Sequence, residues 1–205
     1  MSTYIFDIDG TLIDSVPMYL HGLQDALHAR GREFALADLT FSNGIPSSDT
    51  ATRLGYHGQA AQTMIAEWVE AAKAYAPTVG WIPGMTDTLR QLRQAGHRLG
   101  IVTSKAAPEY ALDDARFHFS QYVDTAVLAH DARRNKPFGD PLLLALKRLQ
   151  GTREHAVYVG DTITDSKAAN DAQIPFALAT WTTAPSGELA PIAYALKTPA
   201  ALLSL

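Results

Sequence analysis

Two aspartates one residue apart, Asp7 and Asp9, follow the apolar, β-leaning run Tyr4-Ile5-Phe6 and lead into a Gly10-Thr11 turn. Inside a strand the two would share one face and repel. At the strand's carboxyl end, where the chain turns, both reach one small site. Two carboxylates held that close require a cation, a shared proton, or both. Three further stretches bring chemistry to the end of an apolar run or into the loop before a helix. Thr103-Ser104-Lys105 closes one strand, Asn135-Lys136-Pro137 precedes a helix opened by Asp140-Pro141, and Gly160-Asp161-Thr162-Ile163-Thr164-Asp165 follows another strand. Carboxylates, a hydroxyl and a lysine gathered at one sheet edge suit phosphoryl chemistry. A divalent cation neutralises the acids and the phosphate, while lysine, hydroxyl and backbone N–H groups hold the remaining oxygens.

The elements that must position these groups differ between the two parts of the chain. From Val16 to Tyr75 the signals are mostly helical. Ser15 and Pro17 mark a helix start, Leu20, Leu23 and Leu27 recur at helical spacing, and Gly31 marks the stop. Residues 62–75 repeat the pattern, and the stretch from Phe41 to Ser48 is a loop by its Gly, Pro and Ser content. Beyond Trp81-Ile82-Pro83-Gly84 helices and strands alternate. Strands are predicted at 98–102, 122–128, 156–159 and 174–179, and helices at 85–94, 107–115, 140–149 and 163–172. With the first strand at 3–8, this is an α/β fold: a Rossmann-like parallel sheet flanked by helices. A small helical cap is inserted after the first strand, so residues 1–14 and 81–205 form the core and 15–80 the cap. Sites in such sheets lie at carboxyl strand ends near the switch point, where an insert leaving after the first strand would hang as a lid.

Composition narrows the partners. The chain of 205 residues is 47% hydrophobic and 19% charged, ordinary values for a globular core. A net charge of −4 argues against a nucleic-acid or membrane-surface role. Arg133 and Arg134 read as a solvated turn. With no cysteine, thiolate chemistry is excluded and a reducing compartment fits. Neither a signal peptide nor an apolar span of membrane length is present, so a cytoplasmic setting is expected. The seven histidines form no metal set; His118, between Phe117 and Phe119, reads as structural, and the carboxylates favour Mg²⁺ over zinc.

Four segments in order resemble the motifs of the haloacid dehalogenase-like hydrolases, and within them the phosphoglycolate-phosphatase-like branch. They are DIDGTLIDS from Asp7, IVTSK from Ile101, NKPFGDP from Asn135 and VGDTITD from Val159. The stretches ALATWTT and KTPAALLSL are similar to later segments of relatives. The resemblance implies that Asp7 is the nucleophile forming an aspartyl-phosphate and Asp9 the general acid and base. It implies that Thr103, with the Ser104 backbone, binds the phosphoryl group and that Lys136 joins nucleophile and phosphate. Mg²⁺ would be held by Asp7, the carbonyl of Asp9 and Asp161, with Asp165 a ligand or one step behind. An aspartate after a strand also serves as a helix cap, and that reading stays open for Asp161 and Asp165.

Relatives that cleave carbon–halogen bonds lack an acid at position 9, so Asp9 indicates an oxygen leaving group. Phosphonate-cleaving relatives use a cap lysine, and none occurs here from residue 15 through residue 60. A β-phosphoglucomutase-like mutase keeps all four motifs. The cap loop Asn43-Gly44-Ile45-Pro46 is closer to the Gly-x-Pro of phosphatases, with Arg53 nearby to hold a carboxylate or second phosphate. Asn43, Gly44, Ile45 and Arg53 are therefore the specificity candidates. A pyrophosphatase or 5′-nucleotidase fits the same pattern. A receiver-like phospho-aspartate module is disfavoured, because a cap has no place in it. The expected partner is a small phosphorylated metabolite acting on a monomer or weak homodimer.

Overall fold

The computed structural model describes residues 1–43, 45, 47–182 and 188–205. Six parallel strands form one sheet: β1 (Thr3–Phe6), β2 (Arg98–Val102), β3 (Thr125–Val127), β4 (Ala156–Gly160), β5 (Phe176–Ala179) and β6 (Tyr194–Leu196). Their order is β3-β2-β1-β4-β5-β6. Thr3–Phe6 of β1 pairs with Arg98–Ile101 on one side and Ala156–Val159 on the other. The chain builds outward from β1 to β3, then returns across β1 to build β4 to β6. That reversal opens a crevice at the carboxyl ends of β1 and β4, where Asp7 and Asp161 emerge.

Strand alternation assigns the two faces of the sheet. Tyr4, Phe6, Leu99 and Ile101 enter one apolar layer, while Ile5, Val102, Tyr158 and Phe176 enter the other. Four helices lie between β1 and β2 before the core helices begin: α1 (Val16–His28), α2 (Leu36–Leu39), α3 (Ser47–Arg53) and α4 (Gly58–Ala72). They share an apolar cluster of their own, built on Leu23, Leu27, Met64 and Trp68. Next come α5 (Met85–Gln94), α6 (Ala107–Phe117), α7 (Asp140–Leu149) and α8 (Ile163–Ala172). Leu89 of α5 and Phe117 of α6 pack on the first layer, and Leu142 of α7 and Ala168 of α8 on the second. Among the described residues, no helix is long and apolar enough to cross a membrane.

Several elements differ from the sequence reading. β1 stops at Phe6 rather than Ile8, because the chain folds back and the Leu12 and Ile13 N–H groups donate to the Ile8 carbonyl at 2.8 and 3.1 Å. The third strand shrinks to three residues, since 119–121 form a 3₁₀ turn and the Asp124 carboxylate takes the Leu99 N–H at 2.9 Å. The second long helix of the insert starts four residues early, at Gly58, and gives way at Lys73 to a 3₁₀ turn containing Pro77. Ser42 closes a 3₁₀ turn and Ser47 opens α3, where a loop was expected; Gly44 and Pro46 lie outside the described residues. Asp140 is the first residue of α7, and its carboxylate pairs with Arg134 at 2.7 Å. His118 ends α6 with φ +56°, a structural place.

Candidate active site

The turn after β1 is shaped around Asp161. Gly10 has φ +73°, and a Cβ there would lie 2.2 Å from Asp161 Oδ2, so only glycine lets the two segments touch. Thr11 Oγ1 donates to Asp161 Oδ1 at 3.4 Å. From the end of β5, Trp181 Nε1 and Thr182 Oγ1 donate to the carbonyls of Thr11 and Gly10, both at 3.2 Å, and pin the turn. Asp7, the first residue past β1, is still held to β4, its N–H donating to the Val159 carbonyl at 2.9 Å, and it lines the cavity.

Lys136 bridges two acids. Its Nζ donates to Asp7 Oδ1 at 2.8 Å and to Asp165 Oδ1 at 2.7 Å. Tyr158, on β4, donates its hydroxyl to the same Asp165 oxygen at 2.7 Å. Thr162 caps α8: its Oγ1 donates to Asp165 Oδ2 at 2.5 Å and accepts the Asp165 N–H at 3.1 Å. Asp165 is thus a capping-box residue and also a partner of the lysine. Oxygens of Asp7, Asp161 and Asp165 lie within 4.8 Å of one another, all three residues buried. Asp161 Oδ2 is buried with no hydrogen-bond partner among the described residues. A converging carboxylate set with one orphaned oxygen is a donor set suited to a hard divalent cation.

Burial pushes Asp7 up to about 7, against the opposing charge of Lys136. Burial also drives Asp161 well upward, with the charges of Asp165 and Asp7 adding to it. For Asp165 burial acts in the same sense, but Lys136 and the Thr162 and Tyr158 hydroxyls outweigh it and hold the group below the usual carboxylate range. Lys136 is disfavoured as a cation by burial, yet Asp165 and Asp7 keep it charged.

Asp9 stands apart from this cluster. Its Oδ1 accepts a 2.6 Å hydrogen bond from Ser15 and lies 2.9 Å from Lys105 Nζ. Lys105 is buried and also pairs with Asp113 of α6. Ser15 is therefore not the side-chain cap of α1 that the sequence suggested; its hydroxyl is spent on Asp9. Thr103 is buried, with Oγ1 accepting the Lys105 N–H at 3.2 Å, and Ser104 is exposed beside it.

A sequence profile of the haloacid dehalogenase-like hydrolases matches residues 4–179. The chain belongs to that family. Pyrophosphatase PpaX of Bacillus velezensis is 29% identical over 187 residues, covering 89% of this chain and 84% of its own. The plasmid phosphoglycolate phosphatase of Cupriavidus necator is 31% identical over 198 residues, covering 85% and 78%. A Lactobacillus plantarum crystal structure, assigned as a phosphoglycolate phosphatase, superposes with a TM-score of 0.88 at 27% identity, covering 99% and 98%. This member of the haloacid dehalogenase-like hydrolases is an enzyme of the phosphatase type.

Asp7, Asp9, Thr103, Ser104 and Lys136 open onto one cavity of about 450 Å³, together with Asn43 and Ile45 from the insert. Asp161 and Asp165 lie behind its wall. Arg53 is not on the lining; its guanidinium lies 4.2 Å over the Phe41 ring. Gly44 lies outside the described residues. Lys105 and Tyr158 carried no role in the sequence reading, and Ser15 was read only as a helix start. Lys105 stood in plain view in the IVTSK segment, but a lysine after a strand reads as solvated until Asp9 and Asp113 are brought to it.

Proposed function

We propose that this phosphatase hydrolyses a small phosphomonoester with Mg²⁺, through an aspartyl-phosphate on Asp7, with machinery like that of a phosphoglycolate phosphatase. The observation that carries this reading is the convergence of Asp7, Asp161 and Asp165 on one point, with Lys136 bridging two of them. Asp7, Asp161, the Asp9 carbonyl and Asp165, directly or through water, would hold the cation. Bound there, Mg²⁺ supplies positive charge against the phosphoryl oxygens.

The residues divide the work in two steps. An Asp7 oxygen attacks phosphorus, the ester P–O bond breaks, and the leaving oxygen keeps the electron pair and takes a proton from Asp9. Asp9 then takes a proton from water, whose oxygen attacks phosphorus and releases phosphate from Asp7. Ser15 and Lys105 orient the Asp9 carboxyl for both transfers. Lys136 steadies the nucleophile and the phosphoryl charge, and Thr103 and Ser104 offer donors to its oxygens. Residues 15–80 act as the cap that excludes water, over a core of 1–14 and 81–205. The shared lining of the cavity by both parts supports this division. A cytoplasmic setting suits the cysteine-free chain.

Hydrolysis is favoured over phosphosugar transfer because a mutase must grip a second phosphate. Lys136 is the sole cation among the described lining residues. Asp7→Asn protein should release no phosphate from any ester, and EDTA should silence the wild type reversibly. Full turnover by Asp7→Asn protein freed of contaminating phosphatase would sink the proposal.

A further inference from the structure

We infer that the leaving group this site accepts is uncharged and partly apolar, with an oxygen acceptor for Asn43. The inference rests on the phosphomonoesterase reading and names the substrate class within it. Beyond the acids, the cavity is walled by Val16, Leu20, Ile45 and Trp68. The arginines and the lysine of the insert all have partners elsewhere. Arg30 pairs with Glu67 at 2.7 Å, Arg32 donates to the Leu54 carbonyl at 2.6 Å, Lys73 pairs with Glu70 at 2.5 Å, and Arg53 stacks on Phe41. Residues 40–52, which include the whole cap loop, contain no lysine or arginine. Lys136 is committed to Asp7 and Asp165, and Lys105 to Asp9 and Asp113.

A leaving group bearing its own anion, such as glycolate or a second phosphate, would therefore meet apolar walls and the Asp9 carboxylate, with no lysine or arginine but Lys136 among the described lining residues. Burying an anion without a partner is strongly unfavourable. Asn43 adds the positive half of the argument. Its Nδ2 is buried with no hydrogen-bond partner among the described residues, and the residue lines the cavity. A buried amide donor without an acceptor is satisfied when a hydroxyl or carbonyl oxygen of the ligand reaches it.

The test compares phosphoglycolate with phosphoglycolamide, the same ester with its carboxylate replaced by a neutral amide, and with pyrophosphate. Phosphate release by the full-length enzyme with Mg²⁺ is the readout. The amide should be hydrolysed with kcat/KM at least about tenfold above phosphoglycolate and pyrophosphate. Leu20→Arg, which places a cation on the cavity wall, should move that ratio toward phosphoglycolate by about tenfold, and Asn43→Ala should raise KM for the amide with little change in kcat. Phosphoglycolate or pyrophosphate turned over as well as the amide would overturn the inference while leaving the phosphatase reading intact. A folded Leu20→Arg enzyme with an unchanged ratio would also count against it. Release from none of the three, with p-nitrophenyl phosphate also left intact, would overturn both readings together.

Discussion

Asp9 differs from the other three acids in the company it keeps. Asp7, Asp161 and Asp165 crowd into one buried cluster with Lys136. Asp9 faces the cavity with one oxygen fixed by Ser15 and Lys105. That separation suits a group that gives and takes a proton while the others hold charge. Asp9→Asn should lower kcat on an alkyl phosphate by about 10²–10⁴-fold, the usual reach of general acid catalysis. With p-nitrophenyl phosphate, whose leaving group needs little protonation, the loss should be smaller. Equal losses in steady-state kinetics on both esters would contradict the acid role. At this scale the sequence was most legible where a short motif sits directly at a strand end, as with Asp7, Asp9 and Asp161. Lys105 was hidden because its role depends on Asp9, which arrives from a strand distant in sequence, and on Asp113 one helix onward.

The N-terminus of α8 joins fold and site. Thr162 caps the helix and bonds the Asp165 carboxylate, which in turn holds Lys136. Thr162→Ala should cost about 1 kcal/mol of stability, as other lost caps do. It should also lower kcat, because Asp165 and Lys136 lose their register; Thr162→Ser should restore both. Denaturant unfolding and phosphate-release assays check the two effects, and an unaltered kcat would separate the cap from the site. The core helices α5, α7 and α8 and the strand β2 lay where apolar periodicity put them. β6 did not announce itself. Tyr194-Ala195-Leu196 is a three-residue edge strand with Tyr194 exposed, too short for any pattern. The helix α3 escaped for a related reason: its sequence Ser-Ser-Asp-Thr-Ala-Thr-Arg has loop composition, and only Thr50 and Ala51 are buried.

Across the whole molecule, the acid cluster ties stability to pH and metal. Burial raises Asp7 to about 7 and Asp161 well above its ordinary value. An acid raised in the folded state holds a proton that the unfolded chain has released. The metal-free fold therefore loses stability from these groups as pH climbs from about 4 to about 7. A divalent cation binds the ionised forms, so its stabilisation grows through that same window. The Tm difference between Mg²⁺ and EDTA should be larger near pH 7 than near pH 5; a difference independent of pH would contradict the assignment of these acids to the cation. The parallel sheet was the other large-scale feature open to sequence reasoning, since alternating elements imply it; the strand order, with its switch point beside β1, came only from the fold.

The central claim is that phosphorus passes through Asp7. Acid quenching of the enzyme during turnover, borohydride reduction and peptide mass mapping test it directly, because an acyl phosphate is reduced to the alcohol while a free carboxylate is not. Conversion of Asp7 to homoserine, dependent on substrate and absent from the other aspartates, is the predicted result. Turnover that leaves Asp7 unreduced under conditions that trap a known acyl phosphate, or a reduced residue at Asp9, Asp161 or Asp165 instead, would contradict it.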